Sequence, residues 1–165
     1  MSESEKIFCS QSHPAPLSLL EVMDEILDYI QEKSAHQYEV VIGSDSSGLS
    51  QRPISIVTAL AVRRVGNGGR YFYLRGMPRL FHHLRDRIYA ETMASITLAQ
   101  ELRGRLRDRL GDDIFWRDQI HIDVGEHGLT RHIVDEVVGM VRGFNFTAVI
   151  KPGSYVASSV ADRYT

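Results

Sequence analysis

Hydrophobic and polar positions along this chain change period several times, and each change marks an element. From Ser18 the apolar residues Leu19, Leu20, Val22, Met23, Ile26, Leu27 and Ile30 recur at helical spacing to about Lys33. Ser18 with Glu21 three residues later is a capping-box signature at its start. Residues 39–45, Glu-Val-Val-Ile-Gly-Ser-Asp, read as a buried strand, and residues 46–53 as a turn. Residues 54–65, rich in β-branched side chains, predict a second strand. Gly66-Asn-Gly-Gly69 predicts a hairpin turn, because Asn-Gly and Gly-Gly accept positive φ. Residues 70–75 make a third strand, so the first three form an antiparallel meander.

The period then lengthens. Residues 81–110 predict one long helix or a broken pair. A fourth strand is expected over 119–124, an amphipathic helix over 130–142 with Gly143 at its C′ position, and a fifth strand over 144–150. Lys151-Pro-Gly-Ser154 stops that strand, and a short helix over 155–164 closes the chain. Strands four and five flank a helix and should be parallel. Residues 1–16, ending in Pro14 and Pro16, are expected to be a flexible N-terminus. Residues 17–165 are then one α/β domain, with 17–36 as its N-terminal helical extension.

Composition narrows the function classes. The 165 residues fit one domain, and 43% are apolar, which is ordinary for a packed core. The single cysteine, Cys9, rules out an intramolecular disulfide and suits a reducing compartment. No run of 18 apolar residues predicts a membrane span, and the polar first residues lack the apolar core of a signal peptide, so the cytoplasm is the expected location. Net charge is −2, yet residues 1–39 carry −6 and residues 40–165 carry +4. Sixteen of the 19 basic residues are arginine, which suits bidentate phosphate contacts. Arg103, Arg105, Arg107 and Arg109 form i,i+4 pairs on the long helix, and read either as a phosphate-tracking face or as a solvated one. Tyr71 and Tyr73 could stack on bases or pack into the core.

The candidate chemistry lies in acids at positions that should be apolar. Asp45 ends the first strand, and Asp123 sits in His-Ile-Asp-Val-Gly of the fourth. A buried charge is costly unless it is paired or bound to a metal. On the long helix the inward stripe runs Leu84, Ile88, Glu91, Ser95, Leu98 and Leu102, so Glu91 and Ser95 interrupt an apolar face. Asp162 lies on the last helix, four residues from Ser158. Carboxylates converging from two strands and two helices are what a two-metal phosphodiester site requires. The donor set favours Mg²⁺ or Mn²⁺ over zinc. His121, His127 and His132 crowd around Asp123, but their spacing fits no zinc motif.

Gly43-Ser-Asp-Ser-Ser47, Gly68-Gly-Arg-Tyr-Phe-Tyr73, Arg87-Ile-Tyr-Ala-Glu-Thr-Met-Ala-Ser95, His121-Ile-Asp-Val-Gly125, Lys151-Pro and Val160-Ala-Asp-Arg163 resemble, in order, the YkuK-type family of bacterial proteins. The likeness covers about residues 39–165. It implies a bacterial source and a ribonuclease H-like fold, with a five-stranded mixed sheet in order 3-2-1-4-5 and helices on both faces. It also implies that Asp45, Glu91, Asp123 and Asp162 are the catalytic and metal-binding residues. The 151–154 loop lacks the histidine of many ribonucleases H, which leaves its assisting role unfilled or given to Lys151. The second acid two residues on, expected of a proofreading exonuclease, is missing after Asp45.

The expected function is therefore a metal-dependent nuclease acting on RNA, DNA or a hybrid, with Ser46, Ser47, Lys151 and Arg163 touching the substrate. Two alternatives remain open. One is a non-catalytic nucleic-acid-binding module of the same fold. The other is a nucleotide-binding relic of actin-like ATPases, whose first phosphate loop resembles residues 42–48.

Overall fold

The computed structural model describes residues 6–48, 51–111 and 116–165. Part of the 46–53 turn and the first five residues lie outside the described residues. One mixed sheet carries the molecule. Its strands are β1 (Ile7–Ser10), β2 (His13–Ser18), β3 (Tyr38–Ser46), β4 (Ile56–Arg64), β5 (Gly69–Arg75), β6 (Trp116–His121) and β7 (Thr147–Val149). Three helices intervene: α1 (Leu19–Glu32), α2 (Leu84–Leu110) and α3 (Val134–Gly143). A π-helical turn, Val156–Ala161, and a 3-10 turn, Asp162–Tyr164, end the chain.

The sheet order is β2-β1-β5-β4-β3-β6-β7. This corrects the five-stranded expectation: the described residues form seven strands, and the order differs because an N-terminal hairpin is added beyond β5. Residues 7–16, expected to be loose, form that hairpin together with Leu17 and Ser18. Phe8 anchors it with no exposed surface, and Cys9 pairs with Tyr73 of β5. β3, β4 and β5 make the antiparallel meander, while β3–β6 and β6–β7 are parallel.

Alternation along β3 and β4 divides the interior. Tyr38, Val40 and Ile42 of β3, with Leu60 and Val62 of β4, face one side, where α1, α2 and α3 cover them with large aliphatic residues. α1 is integral to this core, burying Val22, Met23, Ile26 and Ile30. Its capping box forms as the sequence suggests, with Ser18 and Glu21 bonding each other's backbone. Val41, Val57, Ala59 and Ala61 face the other side, covered by Val156 and Ala161 of the C-terminal segment.

Several boundaries shift. The long helix is single and continuous. β6 ends at His121, so Asp123 follows the strand instead of lying inside it. Gly143 closes α3, and the positive φ after it belongs to Asn145 at 65°. At the β4–β5 hairpin Gly66 and Gly68 do take positive φ, 77° and 80°.

Candidate active site

β3 sends its last side chains in opposite directions, and this sorts the polar residues. Ser44 and Ser46 point toward α2. Ser44 Oγ lies 2.7 Å from Ser95 Oγ and 2.9 Å from Thr58 Oγ1. Ser46 Oγ donates to Glu91 Oε1 at 2.6 Å. The polar interruptions of the α2 stripe therefore meet the polar end of β3, which is how a buried Glu and Ser are tolerated there. Arg87, one turn before Glu91, brings its Nε to 3.6 Å from Glu91 Oε1.

Asp45, between the two serines, faces the C-terminal segment and is 7% exposed. Asp123 follows β6, the parallel neighbour of β3, and Asp162 begins the last turn of the chain. Burial first, then the charges of Asp123 and Asp162 and a hydrogen bond with Asp162, push the Asp45 carboxyl up to about 7; the Ser46 backbone N–H opposes this. Burial likewise pushes Glu91 up to about 7, with Asp45 and Asp123 adding to it and Ser46 and Arg87 opposing it. Asp123 and Asp162 thus lie within electrostatic reach of Asp45, and Asp45 and Asp123 within reach of Glu91. Asp123 Oδ1 is buried and accepts no hydrogen bond among the described residues, although Lys151 Nζ stands 3.1 Å away. Among the described residues, no group of three or more His, Cys, Asp or Glu is spaced to close around a metal ion as it stands.

The C-terminal segment approaches closely enough to deliver Asp162 because β3 carries Gly43 at the crossing. A Cβ there would stand 2.6 Å from the Ala157 backbone nitrogen. His121 fixes the segment's start: its Nδ1 accepts the Val156 N–H at 3.2 Å, and its Nε2 lies 3.4 Å from Gln119 Oε1. Burial pulls its pKa down to about 4, so the ring is neutral, with its proton on Nε2. At the far end Tyr164 stacks on Tyr73 with ring centroids 3.7 Å apart. His127 and His132 are exposed, and the zinc alternative gains no support.

Of the residues expected to touch substrate, Ser46 is committed to Glu91, Ser47 is exposed, Lys151 pairs with Asp123, and Arg163 lies beside the Tyr71 phenol. Sequence reasoning did not foresee the supporting roles of Ser46, Arg87 and His121. Only Arg87 carried a signal, its i,i+4 spacing to Glu91.

Comparison with known proteins places the fold. The profile of the ribonuclease H-like family matches residues 21–165. The chain is 31% identical over 161 residues to the uncharacterized protein YkuK of Bacillus subtilis (strain 168), covering 92% of each chain. No solved structure matches. The chain belongs to the ribonuclease H-like family, in its YkuK-type branch.

Proposed function

We propose that this ribonuclease H-like chain is a divalent-cation-dependent nuclease that hydrolyses phosphodiester bonds. The observation that carries the reading is a pair of buried carboxylates, Asp45 and Glu91, whose proton affinities are raised by burial and by the acids around them. Neighbouring carboxylates, with a buried Asp123 Oδ1 that accepts no hydrogen bond and has only the Lys151 charge beside it among the described residues, fit a hard cation, and the all-oxygen donor set fits Mg²⁺ or Mn²⁺. Asp45 and Asp123 would be the central ligands, with Glu91 and Asp162 completing the set. A bound cation would supply an activated water and neutralise charge on the leaving oxygen. The chain's own groups prepare the place for it. Ser46 holds the Glu91 carboxylate, His121 holds the segment that carries Asp162, and Lys151 stands as counter-charge on Asp123. Exposed arginines and Ser47 would contact the phosphate backbone.

A second reading, a non-catalytic nucleic-acid-binding module, is favoured by one observation: Lys151 Nζ already pairs with Asp123. Cleavage of labelled single-stranded RNA, duplex DNA and RNA–DNA hybrid in Mg²⁺ or Mn²⁺ separates the two. The nuclease reading expects cleavage by the wild type and none by Asp45→Asn or Asp123→Asn. Wild-type protein that binds these substrates with steep salt dependence, is indifferent to chelator and cleaves none of them is a binding module.

A further inference from the structure

On the same side of the sheet as Asp45, beyond the C-terminal segment, a cleft of about 490 Å³ opens against the β4–β5 hairpin. That volume suits a small organic group, since ligand pockets run from about 300 to 1,000 Å³. Its floor and walls are Ala61, Tyr71, Tyr155 and Val160, and its rim holds Arg63, Asn67 and the glycine-rich 66–69 turn. The aromatic walls are fixed in place. Tyr71 donates its phenol to Gln11 Oε1 at 2.5 Å, and Tyr155 packs edge-on against His121 at 4.9 Å between centroids. Arg63 keeps a loose partner among the described residues, Glu39 at 3.8 Å, and its guanidinium stands at the rim.

The cleft and the acids are linked through the C-terminal segment and the β3–β4 pair. Val160 lines it, and Asp162 joins the acids two residues later. Ala61 pairs with Val41 across the strands, four residues before Asp45. At a strand rise of about 3.4 Å per residue the two places are about 14 Å apart. That is no more than about four nucleotides, even at the short spacing of stacked bases. Arg163, beside Tyr71, adds positive charge on the path between them.

We propose that this cleft holds one unpaired base of the strand whose backbone reaches the acid cluster, with the Tyr71 and Tyr155 rings as its apolar walls and Arg63 and Asn67 as its polar contacts. The inference rests on the reading of those acids as a place where a nucleic-acid strand lies. It makes the protein select substrates with a single-stranded stretch, because a base paired within a duplex cannot enter. Sequence preference should be weak, since every base offers an aromatic face.

The test is photocrosslinking of a 5-iodouracil-substituted single-stranded oligonucleotide to the full chain in chelator, mapped by mass spectrometry, alongside equilibrium binding. The expected crosslink is to Tyr71 or Tyr155. Val160→Phe, which fills the cleft, should remove it and weaken binding about tenfold, the scale of losing one stacked base. Tyr71→Leu should weaken binding similarly, and serves if Val160→Phe misfolds. Asp45→Asn should keep the crosslink. Crosslinks that lie elsewhere, or that persist at unchanged affinity in both cleft variants, overturn the proposal. So does full competition by a free nucleoside monophosphate, which would make the cleft a nucleotide site. If cleft crosslinking occurs without metal-dependent cleavage, the cleft stands and the nuclease reading falls. If cleavage occurs and the cleft variants bind and cleave as wild type, the cleft alone falls. If wild type binds no oligonucleotide, both fall.

Discussion

The two faces of the sheet are built on different principles. One is covered by three helices and packed with Phe, Leu, Ile and Val, and its polar residues, Ser44, Thr58, Ser95 and Glu91, are all hydrogen-bonded. The other is covered by one short segment and floored by alanine, valine and a glycine; it carries Asp45, Asp162 and the open cleft. Most of the apolar burial, and so most of the stability, belongs to the first face. The small residues of the second give up packing volume and allow backbones to approach closely. This division lets an acid cluster be repulsive without unfolding the domain.

The largest effect expected of that division is on the thick face. Phe72→Ala removes a fully buried ring from beneath the helices and should cost about 3–5 kcal/mol in urea denaturation. A loss below about 1 kcal/mol would mean that stability is not concentrated there. On the thin face, Gly43→Ala places a Cβ against the Ala157 backbone, which cannot swing aside as a side chain could. It should cost about 1–3 kcal/mol, and hydrogen exchange should rise in residues 155–164 while α2 stays protected.

A third expectation concerns pH. Asp45 titrates at about 7 in the fold against an ordinary 3.8. The folded state therefore holds a proton that the unfolded state has lost, and stability falls as pH rises from about 4 to about 7. Glu91 acts in the same direction. Allowing for solvent that still reaches Asp45, Asp45→Asn should recover about 1–2 kcal/mol at pH 8 in chelator. Mg²⁺ should raise the wild-type Tm and leave that of the variant unmoved. A wild-type stability that does not fall across that window would remove the repulsion from the account. The smallest effect is at the periphery. Arg109→Ala breaks an exposed pair with Asp24 and should change stability by less than about 0.5 kcal/mol.

Periodicity was the legible part. The alternation of β3 and β4, the α2 stripe with Glu91 and Ser95 inside it, and the capping box at Ser18 all follow from short-range rules, and the structure has them. The acids are visible in the sequence as charges in apolar settings, and in the structure Asp123 and Asp162 act electrostatically on Asp45. What was not legible depends on partners distant in the chain. Pro14 and Pro16 suggested a loose tail, yet a strand held only through its other residues accommodates them. The sequence places Asp123 within a strand that ends two residues earlier, because His121-Ile-Asp-Val continues the apolar pattern and backbone bonds from Ile122 N–H to Val149 O and from Lys151 N–H to Val124 O extend past the strand's end. His121 looked like a possible ligand, and its part as an acceptor for Val156 could not be read from residues 35 positions apart.

The N-terminal hairpin has a consequence for how the molecule behaves among its own copies. A strand at the border of a sheet offers a row of unpaired donors and acceptors on which another chain can polymerise. β5 would be such a border, seven residues long. β1 covers it, and β2 then becomes the outermost strand with Pro14 and Pro16 in it, two positions that have no N–H to offer. At the opposite border β7 is only three residues long. Both ends of the sheet are thereby poor templates for aggregation, and residues 7–18 guard its edge as well as completing the fold.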